Sequence, residues 1–215
     1  MTLKVLTWNI QHGLGIDEKQ NIERIADELL KRDADIYAIQ EVDICTKRSK
    51  GIDQVAYLSE RLGVDGHFTR FFAYDGGDYG LATFTKHPVV NTDELILFSR
   101  LGKSNRALNV EIMFEGQLIN HFNFHLPSNR SSICWRNIAK YKFPKNSILS
   151  GDFNLGPSST DIIRLKSKWN DINEQDTHPI YNILDYNLSD LTPIETRVYE
   201  TIASDHSMLE TKYYI

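Results

Sequence analysis

The 215-residue chain is 41% hydrophobic and 25% charged, an ordinary globular composition that excludes disordered and fibrous classes. No apolar run approaches the ~18 residues of a membrane-crossing helix, and the first residues lack the basic and apolar regions of a secretory signal, so a cytoplasmic location is expected. Lys and Arg number 24 against 29 Asp and Glu, a net charge of −5; that disfavours tight, sequence-independent duplex binding, which neutralises phosphates, but leaves open transient processing of nucleic acid or action on small phosphoesters.

Leu3, Val5 and Thr7 alternate with Lys4, Leu6 and Trp8, which predicts a strand over about residues 3–10. Ile22, Ile25, Ala26, Leu29 and Leu30 recur at helical spacing and predict an amphipathic helix over 20–32. The short apolar run from Asp35 to Gln40 reads as a buried strand, and a second helix follows with Val55, Leu58 and Leu62 on one face. Strands are expected at 66–73, 80–86, 93–98, 105–115 and 117–126, separated by Asp75-Gly76-Gly77-Asp78, His87-Pro88 and the hairpin turn Glu115-Gly116. A helix at 131–141 precedes a short strand from Ser147 to Ser150. Another helix follows Pro157, with Ser158, Ser159 and Thr160 as candidate caps, and strands are expected near 180–188, 195–200 and 206–214. Many strands with helices outside predict two packed sheets flanked by helices, and without a linker or repeat, one domain over residues 1–215. Cys45 and Cys134 read as two buried thiols rather than a disulfide framework.

Polar residues at the ends of apolar strands carry the chemistry, because strand ends and loops on a rigid scaffold are where function collects. Asn9 ends the first strand and Glu41 the second; in neighbouring parallel strands both would emerge at one sheet edge. An amide and a carboxylate there suit a hard cation such as Mg²⁺, although alone they also fit a turn cap and a solvated strand end. In His121-Phe122-Asn123-Phe124-His125-Leu126, the period of two places His121, Asn123 and His125 on one face. Two histidines four apart could bind zinc, but no third nitrogen or sulfur ligand is placed nearby, and a single functional histidine is the better reading. Asp152 and Asn154 follow a short strand in Ser150-Gly151-Asp152-Phe153-Asn154. Asp185 sits in the apolar run Ile183-Leu184-Asp185-Tyr186, where a buried carboxylate needs a partner; Ser204-Asp205-His206 offers an imidazole and a second carboxylate.

The order Trp8-Asn9-Ile10, Ile39-Gln40-Glu41-Val42, Tyr79-Gly80 to Pro88, Arg106, Asn123 to Leu126, Gly151 to Asn154, Asp185-Tyr186 and Ser204-Asp205-His206 resembles the endonuclease/exonuclease/phosphatase superfamily with its deoxyribonuclease I-like fold. Thr46-Lys47-Arg48-Ser49 through Asp53-Gln54 looks like a bacterial branch. The resemblance implies a four-layer α/β/β/α sandwich and a divalent-metal-dependent phosphodiester hydrolase, a nuclease or phosphodiesterase using Mg²⁺ or Mn²⁺ on nucleic acid or a small phosphodiester. It implies Glu41 as principal metal carboxylate with Asn9 and Asp205 close to the ion, and His206 oriented by Asp185. His125 and Asn154 would contact phosphoryl oxygens, Asp152 would position or deprotonate the attacking water, and Arg106 would steady phosphate charge. Gln11 stands where abasic-site endonucleases carry an acidic residue, and Leu81 where an asparagine is common. Between Asn154 and Asp185 no basic or aromatic insertion offers a grip on a duplex, which favours single strands, short oligonucleotides or small diesters. A phosphomonoesterase acting on inositol phosphates or phospholipid head groups is the alternative. A catalytically dead binding protein is the third reading, opposed by the complete set of matched positions.

Overall fold

The first strand, β1 (Thr2–Asn9), is buried from Leu3 onward except at Lys4, because strands flank it on both sides. β2 (Ile36–Ile44) pairs with it in parallel and β11 (Met208–Tyr214) antiparallel. The computed structural model describes residues 1–100, 103–127 and 131–215. Its first sheet adds β10 (Thr192–Tyr199), β3 (Gly66–Tyr74) and β4 (Gly77–Thr85) in the order β10-β11-β1-β2-β4-β3. The second runs in chain order through β5 (Val89–Arg100), β6 (Lys103–Phe114), β7 (Gln117–His125), β8 (Ser147–Asp152) and β9 (Asp185–Ser189), with β7 and β8 parallel.

The alternation along β1 sorts its faces. Leu3 and Val5 enter the inter-sheet core with Ile36, Val110 and Ile148. Leu6 and Trp8 pack with α1 (Ile22–Leu30) and α2 (Gln54–Leu62) outside the first sheet. On the far side α3 (Ser131–Lys140) and α4 (Thr160–Lys166) set Trp135, Ile138 and Ile162 against Phe122, Phe124 and Leu149. The layers are therefore α/β/β/α, as the sequence led us to expect. Among the described residues, no helix is long and apolar enough to cross a membrane.

Local chemistry explains the boundaries. The Asn21 side chain accepts the Arg24 N–H, Asp53 that of Ala56 and Ser159 that of Asp161, each satisfying an otherwise orphaned helix N–H. At the Asp75-Gly76 and Glu115-Gly116 turns both residues have positive φ (47° and 86°, 48° and 78°), the handedness a tight hairpin requires. Three expectations need correction. The strand expected near 180–188 begins only at Asp185, because the Ile180 and Tyr181 N–H groups both donate to His178 Nδ1 and fold residues 178–182 into a turn. Asp185 therefore opens β9 instead of lying within a strand. Cys45 is exposed in the left-handed residue after β2 (φ 55°), whereas Cys134 is buried, and both thiols are free.

Between the sheets the core is partly polar. Gln40 Nε2 donates to Asn123 Oδ1 at 2.7 Å, and Asn123 Nδ2 donates to the Ala82 carbonyl of β4 at 2.9 Å. Asn187 Nδ2 reaches the Leu209 carbonyl at 3.3 Å. His121 lies in this layer, fully buried, with neither ring nitrogen hydrogen-bonded. Burial holds its imidazole neutral by pushing its pKa from 6.5 down to about 3. In the unfolded chain the ring protonates below its ordinary value, so the unfolded state binds the extra proton and stability falls as pH drops from 6.5 toward 3. By pH 5 this group alone removes about 2 kcal/mol. Urea unfolding of His121→Leu at pH 7.5 and pH 5 should show a smaller acid loss than wild type by about that amount; equal losses would show that His121 does not carry it.

Candidate active site

Each sheet has one parallel pair; the C-terminal ends of β1, β7 and β8 carry candidate residues, whereas Glu41, expected to end the second strand, lies inside β2, which continues to Ile44. Asn9 ends β1 in register with Gln40, next to Glu41 on β2; His125 ends β7 opposite Asp152 on β8. Asp152 in turn faces Asp185, the first residue of antiparallel β9. Carboxyl ends of parallel strands are the usual place for a ligand in mixed α/β sheets. The loop carrying Ser204, Asp205 and His206 is tied down from two sides. Ser204 Oγ donates to the Asn9 carbonyl at 2.7 Å, and Trp8 Nε1 donates to the His206 carbonyl at 2.9 Å.

Glu41 owes its position to a β-bulge. The pairing of β2 with β4 slips between Ile39 and Val42, and Glu41 takes a left-handed backbone conformation at φ 57°. A bulge re-aims a side chain at a sheet rim, and such backbone is uncommon outside glycine and concentrates at functional sites. Asn154 (φ 50°), Gln11 (φ 45°) and His12 (φ 47°) are held in the same region around the cluster. The His12 carbonyl is secured by the side-chain amides of Gln54, at 2.7 Å, and Gln20.

The side chains converge. Asn9 Nδ2 lies between Glu41 Oε1 (3.1 Å) and Asp152 Oδ2 (3.2 Å), while its oxygen accepts the Gln11 N–H. Asn154 donates its backbone N–H to Asp152 Oδ1 at 2.8 Å and its side-chain amide to the Leu126 carbonyl at 2.9 Å. His206 Nδ1 meets Asp185 Oδ2 at 2.9 Å, the pairing expected from the sequence. Both imidazoles then aim Nε2 at Asp152 Oδ2, His125 from 3.6 Å and His206 from 3.8 Å. Asp205, partly exposed, sits beside them with an oxygen 3.3 Å from Ser204 Oγ.

Crowding of buried charge sets the protonation pattern. Burial would lower the His206 pKa, but Asp185, with Asp152 and Asp205, raises it to about 10, so the ring is an imidazolium at neutral pH. Asp152 is pushed above the usual carboxylate range by burial and by the Asp185 charge. Burial would raise Glu41 as well, yet the imidazoles of His12 and His125 and the Asn9 amide hold it down at about 2. The ligand atoms of Asp152, Asp185 and His206 lie within 4.8 Å of one another, as do those of His178, Asp205 and His206.

Arg106 stands on β6 next to Asn105 of the pocket beside His125, and its guanidinium pairs with Glu94 on β5. The guanidinium beside Glu41 and His125 is that of Arg48, in a pocket of about 330 Å³ walled by aromatic rings. A surface depression of about 980 Å³ near Lys86 and His87 contains none of the candidate residues. Three further side chains border the site, of which only Tyr79 stands in the motif series, without an assigned role. His12 Nδ1 stands 3.8 Å from Glu41 Oε2, Tyr79 Oη 3.5 Å from His125 Nδ1, and the His178 ring 4.9 Å edge-on to His206. His178 Nδ1 accepts two backbone N–H groups, so its ring proton sits on Nε2 and the nitrogen it has free is a donor, not a metal ligand. The Gly-Leu-Gly run after His12 and the His-Pro at 178–179 were the available signals, and both read as ordinary turns.

Comparison with known proteins places this geometry. No curated protein matches the chain in sequence. Among solved structures, an endonuclease/exonuclease/phosphatase family protein from Leptotrichia buccalis C-1013-b superposes with a TM-score of 0.81 at 22% identity, covering 99% of this chain and 100% of that one. The endonuclease/exonuclease/phosphatase from Beutenbergia cavernae DSM 12333 gives 0.82 at 18% identity over 100% of this chain and 72% of its own. The catalytic domain of human Nocturnin gives 0.74 at 21% identity over 99% and 93%. At such identities the structures establish the fold, the deoxyribonuclease I-like sandwich. The family itself is shown by the sequence model of the Endonuclease/Exonuclease/phosphatase family, which matches residues 6–206, and the chain belongs to that family.

Proposed function

We propose that the protein is a divalent-metal-dependent phosphodiester hydrolase. The observation that carries this reading is the buried cluster at the strand ends, where an Asp185-bound imidazolium and His125 face Asp152 beside the partly exposed carboxylate of Glu41. Hydrolysis of a phosphodiester places negative charge on the non-bridging and leaving oxygens, and fixed cationic donors aimed there stabilise it. His206, protonated at Nε2 and locked by Asp185, is such a donor; His125 and Asn154 are the further polar contacts for the phosphoryl oxygens, and the His178 Nε2–H adds a neutral donor. Asp152, raised in pKa and held by Asn9 and Asn154, is placed to orient the attacking water and take its proton.

The chemistry of the donors suits a hard divalent cation: Glu41 and Asp205 are partly exposed carboxylates, and oxygen ligands are what such an ion takes. Mg²⁺, or Mn²⁺ in its place, would be held by Glu41 and Asp205 with Asn9 alongside. When bound it supplies charge neutralisation and acidifies water. Arg106 would steady phosphate charge only in a conformation released from Glu94. The weak basic character of the chain favours single strands, oligonucleotides or small diesters over long duplexes, and an intracellular location is the expected setting.

Glu41→Gln should lower Mg²⁺-dependent turnover of a diester at least 10²-fold while shifting thermal unfolding little, because the residue is a partly exposed bulge position and not part of the apolar core, and a neutral amide binds a hard cation poorly. Turnover would be followed over plasmid, single-stranded DNA, RNA, inositol phosphates and bis-p-nitrophenyl phosphate; wild-type rates in EDTA would overturn the reading.

Asp185→Asn and His206→Ala should each cost on the order of 10²-fold in kcat, within the range for lost acid–base catalysis, and the double variant should be little worse than His206→Ala. In the metal-free protein, NMR titration of the imidazoles should show His206 losing its raised pKa in Asp185→Asn, since the anion that favours its charged form is gone. Multiplicative losses with an unmoved titration would mean that the two residues act independently.

A further inference from the structure

The pocket beside Glu41 and His125 has a composition that phosphate chemistry alone does not require. Its volume, about 330 Å³, lies at the small end of ligand cavities, enough for one nucleoside-sized group. Its wall is built by a second β-bulge. The register of β3 against β4 slips between Arg70 and Phe72. In a regular strand consecutive side chains take opposite faces; here the slip lets both Phe71 and Phe72 line the same cavity. Phe71 stacks on the His125 imidazole, with ring centres 6.3 Å apart and planes at 28°. Phe72 packs on Tyr79 at 5.1 Å, and Tyr74, 42% exposed, closes the rim at 6.2 Å from Phe72.

Arg48 completes the enclosure. Its guanidinium lies 4.5 Å from the Tyr74 ring centre and 5.4 Å from that of Tyr79. Two bonds of 2.7 and 2.8 Å fix it to Asp43, which is fully buried and also accepts the Thr46 hydroxyl at 2.6 Å. The cation is thus already balanced by a buried anion and serves as a flat, rigid plate. Among the described residues that line the pocket, Arg48 is the only Lys or Arg; a polyphosphorylated inositol or a phospholipid head group needs several uncommitted cations, whereas flat apolar rings with a stacked guanidinium are what a nucleobase binds. Asn105 also lines the pocket.

We propose that this pocket is a base-stacking subsite, and that the substrate is a phosphoester of a nucleoside whose base packs against the aromatic wall of Phe72 and Tyr74, which Arg48 backs, while its phosphate reaches His125 and Glu41. The inference rests on the phosphodiesterase reading for the position of the phosphate, but base binding itself is independent of it. The base comes from a small nucleotide diester or from the end of a single strand; both present the same nucleoside phosphate.

The test is an NMR chemical-shift titration of the full-length protein with adenosine, ribose and myo-inositol, none of which needs a metal. Adenosine should bind at least tenfold more tightly than ribose, the fold-change expected from stacking one base, and should shift the Tyr74 and Tyr79 resonances. Phe72→Leu keeps apolar volume and removes the π face, and Tyr74→Ala truncates an exposed ring; each should reduce the adenosine preference at least threefold and leave ribose unchanged. Equal binding of adenosine and ribose, or a preference that survives both variants, overturns the subsite. Hydrolysis of a dinucleotide and of glycerophosphocholine separates the two readings. Stacking-dependent adenosine binding without hydrolysis of either ester sinks the phosphodiesterase and leaves the subsite standing; hydrolysis of both esters at equal rates, with no adenosine preference, does the reverse. Faster turnover of a dinucleotide than of a twelve-nucleotide single strand, or the opposite, supports the subsite and assigns the source of the base.

Discussion

Two sheets from distant parts of the chain must be held in one register for this site to exist, and a buried amide pair does much of that work. Gln40 precedes Glu41 on β2 and Asn123 lies two residues before His125 on β7, so their 2.7 Å bond fixes how the ends of those strands face each other. Asn123 also donates to carbonyls of β2 and β4, and Asn187, two residues from Asp185, donates to the Leu209 carbonyl. A hydrogen bond in this water-poor layer is stronger than at the surface, and an unmade one leaves a costly orphan. Apolar packing between the sheets would tolerate sliding by a fraction of a residue. Directional amide bonds do not, which is why this seam is polar where a simple sandwich would be aliphatic.

The same scaffold stores charge and strain at one edge. Asp152 and Asp185 are buried side by side, a pairing that desolvation opposes. Three neighbours answer it: His206 as an imidazolium, His125, and the Asn9 amide shared with Glu41. Backbone in the left-handed region at Glu41, Asn154 and His12 adds strain at the same edge. Such an arrangement is stable only because the surrounding strands over-determine it, and it presents preorganised donors with little reorganisation left to make on ligand binding.

Next to this polar edge the aromatic pocket follows a different logic. On the proposed reading the charged cluster would recognise a phosphoryl group by position and charge, whatever is esterified to it. The rings of Phe71, Phe72, Tyr74 and Tyr79 offer flat faces in place of ionised groups, and on the same reading they would select a flat substituent. Tyr79 and Phe71 belong to both halves, since each also contacts His125. A bulge lies behind each half, one placing Glu41 and one placing the paired phenylalanines.

Much of this was legible in the chain itself. The period-two alternation of β1 and β7, the helical spacing of α1, the glycine turns and the helix caps follow from local sterics and hydrogen bonding, so they survive without tertiary information. The candidate residues could be named because they stand at the ends of apolar runs in a recognisable order. What only the folded protein decided depends on contacts between distant segments. The turn at His178 replaced an expected strand because its imidazole captures two backbone N–H groups, and the same bonds put that ring against His206. Arg106, an isolated cation in sequence, is paired with Glu94, while Arg48 comes to the pocket because a buried Asp43 holds it there. Neither pairing has a periodic signature, since an ion pair is fixed by which strands adjoin and not by spacing along one of them. The bulges escape sequence reading for the same reason: a one-residue slip belongs to the pairing of two strands, and neither strand alone carries it.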